Sequence, residues 1–410
     1  MNIAIITSGF LPVPATKGGA VENLIENFIN KNEDEKYCNF TIFSEYEERA
    51  VEEAKRYKNS NIIFIKSNLF VDLLDKLTFM FAKYILRKTN SHSYRFIFRR
   101  INYLNKVSIY LKNNMYDKVI LENHPTQYLA LKWRDNYKKY KDKYYYHCHN
   151  EFTEFYGCKD IINNTKMFIS VSEYISKSLQ KTLNKSGNQF KVLRNGIDQE
   201  KFNIYISEVE KEELQKKYNI QKNEKVLIFT GRVVPEKGVK ELLESLKKVK
   251  STNYKLLVVG SALNDIKTKT QYQLEVENIV NTLRDKVVFT GFIKYVDIAK
   301  LYKIADIAVL PSIWDDPAPL TVIESLVCGL PIISTQSGGI PEYAMNGAAF
   351  LLKRDHNLIE NLAKSIDELI KNEKKCKEMS KISFELSKKL TIDNYCNDFS
   401  NLLGCEKSER

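Results

Sequence analysis

Four charged side chains in the second half of the sequence have types and spacings that suit a ligand-binding site. Arg232 and Lys237 are five residues apart in the glycine-bounded segment 231–238, and a guanidinium near an ammonium group suits a diphosphate. Asp316 and Glu324 are eight residues apart, and two such carboxylates can accept hydrogen bonds from neighbouring hydroxyls of a polyol or sugar. The alternative is a solvated acidic loop followed by an ordinary helical glutamate.

The elements predicted around the two acids place them at one edge of a parallel sheet. Ile307–Leu310 is an apolar run typical of a buried strand, and a turn-rich loop with Asp316 follows it. A helix that contains Glu324 is expected to start with Thr321 as its cap and to stop at Gly329. Open α/β folds bind ligands at the carboxyl edge of the sheet, so both acids are candidate binding groups.

Two glycine loops are predicted to bring backbone amides close to a ligand. Gly18 and Gly19 lie between a predicted strand and a helix, where amides at the helix start can bind a phosphate or a sugar. This loop is neither a Walker loop nor a Gly-x-Gly-x-x-Gly fingerprint, so a plain turn is the alternative. The second loop, Ser337-Gly338-Gly339, follows a later predicted strand.

Two further strands are predicted in the first half, at 119–121 and 144–147. His147 and His149 lie at the end of the second one. We expect His147 and His149 to face opposite ways, one as buried structure and the other towards the ligand edge. A metal site is the rival interpretation. A His-x-His pair without a matching carboxylate or cysteine set gives that interpretation little support, so no metal is predicted.

Length and composition favour a two-domain globular enzyme. A chain of 410 residues is longer than a single hydrophobic core usually supports, so two domains are expected. A composition of 43% hydrophobic and 28% charged residues suits a globular protein. No stretch approaches the ~20 apolar residues of a membrane span, and the start lacks the basic region of a signal peptide. Seven cysteines without a Cys-x-x-Cys pair indicate reduced thiols. These features predict a cytoplasmic protein with its domain link in the charged segment 199–220.

The segment 76–112 contains nine Lys or Arg residues, eight Phe or Tyr residues and no acid. Such a mixture on amphipathic helices suits an anionic membrane surface, so peripheral contact with the inner face of the cell membrane is expected. One alternative is a set of ordinary helices with buried aromatics and a solvated basic face. Nucleic acid is another, given the formal charge of +12, but it leaves the acidic pair unexplained and is not predicted.

Together these motifs resemble the retaining glycosyltransferases of family 4, which have the GT-B fold. The resemblance rests on Gly-Arg-x-x-x-Glu-Lys-Gly at 231–238 and on a series that ends in Gly-Gly-x-Pro-Glu at 338–342. That series includes Asp316-Pro, Glu324-Ser and Gly-x-Pro at 329–331. The first Gly-Gly loop, His149 and the Asn-Gly-Ile-Asp turn at 195–198 occur in matching order, so the resemblance covers almost the whole chain.

The resemblance implies an α/β architecture of two Rossmann-like domains that face a central cleft. The amino-terminal, acceptor-binding domain would span residues 1–200, and the nucleotide-sugar-binding domain would span 201–387. A helix within 388–410 would return to the amino-terminal domain.

The resemblance also implies roles for individual residues. Arg232 and Lys237 would neutralise the donor's diphosphate, and Glu324 would bind the ribose hydroxyls. The acid that would contact the donor sugar is Asp316 here, one methylene shorter than usual, and Ala318-Pro319 replaces the usual Phe-Gly after it. The expected catalytic residues are His149, Arg232, Lys237 and Asp316. The expected donor-binding residues are Gly18, Gly19, Arg232, Lys237, Asp316, Leu320, Thr321, Glu324, Ser337, Gly338 and Gly339.

The implied activity is hexosyl transfer from a nucleotide-sugar donor, expected to be UDP-linked, with retention of anomeric configuration. The implied acceptor is a glycan or lipid-linked glycan, in cell-surface polysaccharide synthesis. No Asp-x-Asp motif occurs, so positive side chains are expected to replace a metal, and no cofactor is expected beyond the donor substrate. The alternative is a non-catalytic binding or partner subunit of the same fold, suggested by the altered loop after Asp316.

Overall fold

The computed structural model describes residues 1–81, 84, 96–260, 270–291 and 293–405, which form two compact units. The first unit comprises Met1–Arg194 and the residues from Cys396 onward, and the second comprises Asn195–Tyr395. The predicted boundaries, after residues 200 and 387, differ from these. The turn at 195–198 is held in the second unit because Ile197 N donates to Leu390 O at 3.0 Å, and Ile197 O accepts from Ile392 N at 2.9 Å.

The first unit is built on a parallel sheet. Its strands are β1 (Asn2–Ile6), β2 (Asn39–Glu45), β3 (Ser60–Ile65), β4 (Lys118–Glu122), β5 (Tyr144–Cys148), β6 (Met167–Ser170) and β7 (Phe190–Val192). They pair in the order β3-β2-β1-β4-β5-β6-β7, every pair parallel. Four successive residues of β1, from Ile3 to Ile6, have no exposed surface. A continuous apolar run of this kind is typical of a parallel strand with both faces covered.

The second unit is built on another parallel sheet. Its strands are β8 (Lys225–Thr230), β9 (Tyr254–Val259), β10 (Val287–Phe289), β11 (Ile307–Leu310), β12 (Ile332–Thr335) and β13 (Ala349–Leu352). They pair in the order β10-β9-β8-β11-β12-β13, again all parallel. The prediction lacks β13, whose four residues are only partly buried, unlike those of β11. The predicted α/β fold with two parallel-sheet, Rossmann-like domains is confirmed.

Helices connect and flank the strands in the described part of the chain. They are α1 (Ala20–Glu35), α2 (Glu48–Ala54), α3 (Leu69–Met80), α4 (Ile97–Asn113), α5 (Tyr128–Lys132), α6 (Asn136–Lys139), α7 (Lys159–Asn163), α8 (Glu173–Leu183), α9 (Glu208–Lys217), α10 (Val239–Leu246), α11 (Gln271–Leu283), α12 (Tyr295–Ile304), α13 (Leu320–Val327), α14 (Ile340–Tyr343), α15 (Leu358–Lys371), α16 (Glu373–Ser387) and α17 (Ile392–Leu402). The predicted link at 199–220 contains α9. At the start of this helix, Glu210 Oε2 accepts from Ser207 N at 3.0 Å and Ser207 Oγ accepts from Glu210 N at 3.2 Å.

The segment 76–112 differs from its prediction in the described part of α4. Arg99 faces a carboxylate, with its Nη2 2.8 Å from Asp72 Oδ1. Arg100 is buried, its guanidinium lies 4.3 Å from the centroid of the Phe10 ring, and burial lowers its pKa to about 10. Arg100 is therefore not available to a membrane, whereas Arg99 is paired but 33% exposed, and membrane contact through this part of α4 stays a prediction. Four other basic residues lie outside the described residues: Lys83, Arg87, Lys88 and Arg95.

None of the helices in the described ranges combines the length and the apolar composition needed to cross a bilayer.

Candidate functional site

Both sheets reverse their strand order at a point where predicted site residues lie. In the first sheet the reversal falls between β1 and β4, and in the second between β8 and β11. Ligands of open α/β sheets bind in the crevice at the carboxyl ends of such strands. The Gly18-Gly19 loop follows β1, the Arg232–Lys237 segment follows β8, and the Asp316 loop follows β11. Each unit therefore has its own candidate site, and we describe the two separately.

In the second unit the predicted phosphate-binding lysine and the predicted sugar-binding acid form an ion pair. Lys237 Nζ contacts Asp316 Oδ2, and the side chains are 25% and 8% exposed. The loops that carry them are tied together, because Glu236 O accepts hydrogen bonds from Ser312 Oγ at 3.1 Å and from Ile313 N at 3.0 Å. In this way the fold brings together two groups that the sequence separates by 79 residues.

Arg232 differs from Lys237 in its surroundings. Its side chain is exposed and forms no ion pair with any residue in the described ranges. A guanidinium that is open to solvent and close in sequence to a paired lysine suits a dianionic ligand group, because both cations can contact it. Arg232 is therefore open to a ligand, and its contact with a diphosphate stays a prediction.

The glycine loop after β12, residues 337–339, packs against the Asp316 loop and is hydrogen-bonded to it. Gly338 has φ 52°, and a Cβ at this position would lie 2.7 Å from the carbonyl carbon of Asp315, so a larger residue would displace the loop. Gly339 N donates to Asp316 O at 2.8 Å. Ser337 is fully buried, and its Oγ donates to Ser312 O at 2.9 Å. The Ser337 hydroxyl thus supports the loop in this state, instead of facing a ligand.

A small cavity lies where these loops meet. It is lined by Lys237, Asp316 and Thr321, among other residues. Its volume of about 10 Å³ is close to what a single water molecule needs. A ligand group larger than water would therefore have to separate the Lys237–Asp316 pair or move one of the loops.

Helix α13 starts one residue earlier than its predicted cap. Pro319 is the residue before the first turn, and no side chain caps that turn. Leu320 and Thr321 are therefore the first two helical residues, both half-buried, and the prediction of Thr321 as the cap was wrong. Proline suits a helix start because its fixed φ is compatible with the helix and it lacks an N–H group. The predicted stop is confirmed, since the helix ends at Val327 before Gly329 at φ 69°.

Glu324 is buried in α13 and is held by two tyrosines that the sequence did not predict. Its Oε1 accepts from Tyr295 OH at 3.1 Å, and its Oε2 accepts from Tyr302 OH at 2.9 Å. Burial raises the pKa of Glu324, and the two hydrogen bonds partly oppose that effect. Tyr302 is also 2.7 Å from Thr230 Oγ1 at the end of β8. Glu324 is therefore an anchored acceptor at the strand-order reversal.

In the first unit, the Gly18-Gly19 loop contains a carboxyl group that the prediction missed. Gly19 has φ 110°, and a Cβ there would lie 2.8 Å from Leu11 Cδ1. Glu22, in the first turn of α1, is buried and its Oε1 accepts from Ser8 Oγ at 3.2 Å. Burial raises its pKa. A phosphate at this helix start would meet a carboxyl group, so the loop suits hydroxyl groups better.

The two histidines and Glu122 form one buried cluster at the end of β4 and β5. His147 Nδ1 lies 3.1 Å and His149 Nε2 lies 3.3 Å from Glu122 Oε2, and the two ring nitrogens are 3.2 Å apart. The prediction that the histidines face opposite ways was wrong, because residues two apart in a strand lie on the same face. Asn123 Oδ1 also accepts from His149 N at 3.0 Å, which holds the backbone of His149 in place.

Protonation in this cluster is set by burial and by the partners. Burial, together with the charge of His147, lowers the pKa of His149 to about 4, so its ring is neutral at pH 7. Burial raises the pKa of Glu122, but the two histidines outweigh it and the net shift is downward. Glu122 is therefore an ionised acceptor that fixes the orientation of His149.

The same three side chains could hold a divalent cation, since one atom from each lies within 4.8 Å of the others. The expectation that no carboxylate matches the His-x-His pair was therefore wrong. Metal-bound histidines usually donate their second ring N–H to an acceptor, however, and His147 Nε2 is buried without a partner among the described residues. The arrangement thus suits a hydrogen-bonded cluster better than a metal centre.

Comparison with known proteins agrees with this geometry. Residues 210–385 match the family model Glycosyl transferases group 1. YtcC of Bacillus subtilis (strain 168), which is named as a glycosyltransferase, is 26% identical over 387 residues, covering 93% of this chain and 86% of YtcC. Lipopolysaccharide 1,2-N-acetylglucosaminetransferase of Salmonella typhimurium (strain LT2) is 28% identical over 137 residues, 33% of this chain and 36% of that protein.

A solved structure shows the same fold over nearly the whole chain. Anabaena Alr3699/HepE in complex with UDP and glucose has a TM-score of 0.72 and 17% sequence identity, and the match covers 98% of this chain and 99% of that one. The fold is therefore that of the GT-B glycosyltransferases. The residues that match the family model Glycosyl transferases group 1, 210–385, lie within the second unit.

Proposed function

We propose that the protein is a retaining hexosyltransferase that uses a nucleotide-sugar donor, UDP-linked, and a glycan or lipid-linked glycan acceptor. The observation that carries this proposal is the strand-order reversal of the second unit. There Arg232, the Lys237–Asp316 pair and the anchored Glu324 lie on elements of a glycosyltransferase-family domain. This set offers cations for a diphosphate and acceptors for hydroxyl groups.

The departing diphosphate is the centre of the proposed mechanism. As the bond to the sugar breaks, negative charge collects on the leaving phosphate, and prepositioned cations stabilise it. Arg232 is open to that group. Lys237 reaches it when the ion pair with Asp316 opens, which frees the Asp316 carboxylate to accept hydrogen bonds from the donor sugar. Because positive side chains meet the diphosphate, the mechanism needs no metal.

Glu324 binds the ribose hydroxyls in this proposal. Its two oxygens accept from Tyr302, which is buried, and from Tyr295, which is 47% exposed. Tyr295 is therefore the partner that an incoming hydroxyl replaces or joins, whereas Tyr302 keeps the carboxylate in place. A neutral hydroxyl donor at each oxygen keeps Glu324 available as an acceptor without an ion pair.

His149 and the Gly18-Gly19 loop serve the sugar and the acceptor. The neutral ring of His149 is fixed through Nε2 by Glu122, so its remaining edge can contact a sugar hydroxyl. Retention follows from attack on the face that the phosphate leaves, with the departing phosphate accepting the proton of the acceptor hydroxyl. No side chain of the protein is proposed as the nucleophile.

Two similarities support the finer parts of the proposal. The neighbour Alr3699/HepE is named with UDP and glucose, which supports a UDP-linked hexose. The Salmonella relative is named for lipopolysaccharide, which supports a role in cell-surface polysaccharide synthesis. We further propose that the protein acts on a lipid-linked acceptor in the cytoplasm, at the inner face of the membrane. Asp316 is one methylene shorter than the usual acid at this position, so experiment must identify the sugar.

The test is a screen of UDP-sugars and other nucleotide sugars by thermal shift, followed by turnover with the ligands that bind. A ligand bound only by the folded state raises the melting temperature, by mass action. We expect one UDP-sugar to stabilise the protein and to be consumed with release of UDP. Binding without turnover on any glycan acceptor would favour the non-catalytic subunit, and no binding at all would contradict the proposal.

A further inference from the structure

Helix α3 presents a continuous row of large apolar side chains to solvent. We call this row the apolar stripe; its residues are between 44% and 89% exposed, namely Leu69, Phe70, Leu73, Leu77, Met80 and Phe81. At 100° per residue they fall within a sector of roughly 120° of the helix. Single exposed apolar residues are common on proteins, whereas a contiguous set of this kind marks an interaction surface.

The opposite side of α3 is the side that packs on the protein. Asp75 lies roughly 180° from the middle of the stripe, is buried, and accepts from Phe98 N at 2.8 Å and Arg99 N at 3.0 Å at the start of α4. Asp72 pairs with Arg99 and accepts from Ser67 Oγ at 2.7 Å. The helix is therefore anchored by its acids and exposes its apolar side, which reverses the usual amphipathic pattern.

This packing also determines the charge next to the stripe. Both acids of α3 are occupied by partners within the protein, while Lys76 is exposed. The sequence from residue 76 to 112 contains no acid and continues with Lys83, Arg87, Lys88 and Arg95. An exposed apolar stripe beside Lys76, followed in the sequence by basic residues with no acid among them, complements an anionic lipid surface.

We propose that α3 is an interfacial helix that binds the protein to an anionic bilayer through its apolar stripe. The helix has 12 residues, or about 18 Å at 1.5 Å per residue, so it lies in the plane of the interface and does not cross it. The proposal moves the membrane surface from the arginines of α4 to α3. Only the purpose of this membrane binding, which is to hold the enzyme near a lipid-linked acceptor, rests on the proposed function.

The experiment is co-sedimentation of the full chain with vesicles of phosphatidylcholine alone or mixed with phosphatidylglycerol, at low and high salt. Wild-type protein should bind the anionic vesicles and bind the neutral ones weakly. The triple variant Phe70→Ser, Leu73→Gln, Leu77→Gln should lose about tenfold or more in partitioning. Lys76→Gln should lose about fivefold at low salt and less at high salt.

A matched control is available in the second unit. Tyr205 and Val209 are 88% and 66% exposed, so the double variant Tyr205→Ser, Val209→Gln removes a similar exposed apolar area away from α3. It should bind vesicles like the wild type. Melting temperatures should be close to wild type for all variants, because the replaced side chains are exposed.

Three outcomes would overturn the proposal. The first is wild-type protein that ignores anionic vesicles at low salt, and the second is a triple variant that binds them as well as the wild type. The third is a triple variant that turns a dimer into a monomer with vesicle binding unchanged, since the stripe would then join two copies of the chain. Vesicle binding by a protein that turns over no sugar nucleotide would refute the proposed function and leave this inference intact.

Discussion

The strand-order reversals of the two units have the same topology and both carry carboxyl groups, but they differ in the groups that accompany those acids. The second unit places cations there, with Arg232 exposed and Lys237 paired to Asp316. The first unit places carboxyl groups and histidines there, including Glu22, Glu122 and His149. A parallel sheet thus supplies the location of a site, and the side chains after each strand decide which part of a ligand it suits.

The buried glutamates of the two units sharpen this contrast. Glu324 and Glu122 are 4% and 1% exposed, yet their pKa values shift in opposite directions. Burial raises the pKa of Glu324, whose partners are neutral tyrosine hydroxyls. Histidines outweigh burial at Glu122 and lower its pKa. Burial alone therefore does not determine the direction in which the pKa of an acid shifts; the charge that its partners can carry also matters.

The largest expected effect tests the cationic character of the second unit. Lys237→Ala and Arg232→Ala should each lower the transfer rate by about 10²-fold or more, because each removes a charge from the leaving group. Stability should change little in Arg232→Ala, because that side chain is exposed, whereas Lys237→Ala leaves the buried Asp316 carboxylate unpaired and should lower stability. Steady-state kinetics with a UDP-sugar and thermal melting measure both effects. Lys247→Ala, which removes a surface lysine paired to Glu244, is the control, and wild-type turnover in folded Lys237→Ala would refute the diphosphate assignment.

The next effect concerns the cluster of the first unit. Glu122→Gln removes the ionised acceptor that two histidines share, so we expect a loss of about 1–3 kcal/mol in the free energy of unfolding. The transfer rate should also fall, because His149 loses its fixed orientation. Urea unfolding and kinetics measure the two losses. Glu151→Gln is a control in the same region, since Glu151 is exposed; equal stability of both variants would show that the cluster is not structural.

Nucleotide binding tests Glu324 with a smaller expected effect. Glu324→Ala should weaken UDP binding about tenfold, the loss of roughly one hydrogen bond to a charged acceptor. Glu324→Gln should weaken it less, because an amide oxygen still accepts one hydrogen bond. Titration calorimetry with UDP measures both. Wild-type affinity in the two variants would remove Glu324 from the nucleotide site.

The pH dependence of stability should distinguish the two acids. The pKa of Glu122 is lowered on folding, so its contribution is present above the unfolded value of about 4.3 and is lost as pH falls below it. The pKa of Glu324 is raised, so folding becomes less favourable as pH increases above about 4.3. Relative to wild type, Glu324→Gln should therefore gain stability from pH 4 to 7, and Glu122→Gln should recover below pH 4.3. Unfolding curves across this range that shift in the same direction would contradict the contrast.

The smallest expected effect is that of chelation. If Arg232 and Lys237 do the work of a metal, EDTA should leave turnover and melting temperature unchanged. Cobalt(II) added to the treated protein should produce no ligand-field absorption, because the Glu122 cluster is hydrogen-bonded. A divalent-ion requirement for turnover would refute the metal-free mechanism, and stoichiometric cobalt bound through His147 and His149 would show that the cluster is a metal centre.

The sequence alone determined the local elements of this protein. The strand at Ile307–Leu310 and the helix end before Gly329 agree with the structure. Ser172, of a residue type favoured at helix starts, caps α8 by accepting from Ile175 N at 3.3 Å. Apolar periodicity, capping side chains and helix-breaking glycines act within a few residues, so they can be identified in one sequence. Residue type and spacing, together with the resemblance, made Arg232 and Glu324 candidate site residues.

Only the tertiary structure decided which of these groups meet. The reversal of strand order, the Lys237–Asp316 pair, the tyrosines on Glu324 and the cluster around Glu122 all join residues at least 22 positions apart. The acid-free segment 76–112 suggested free arginines, but Asp72 and Asp75, which precede it, bind the start of α4 and leave the apolar side of α3 exposed. Such pairings depend on how strands order and helices pack, and local sequence patterns do not encode that order.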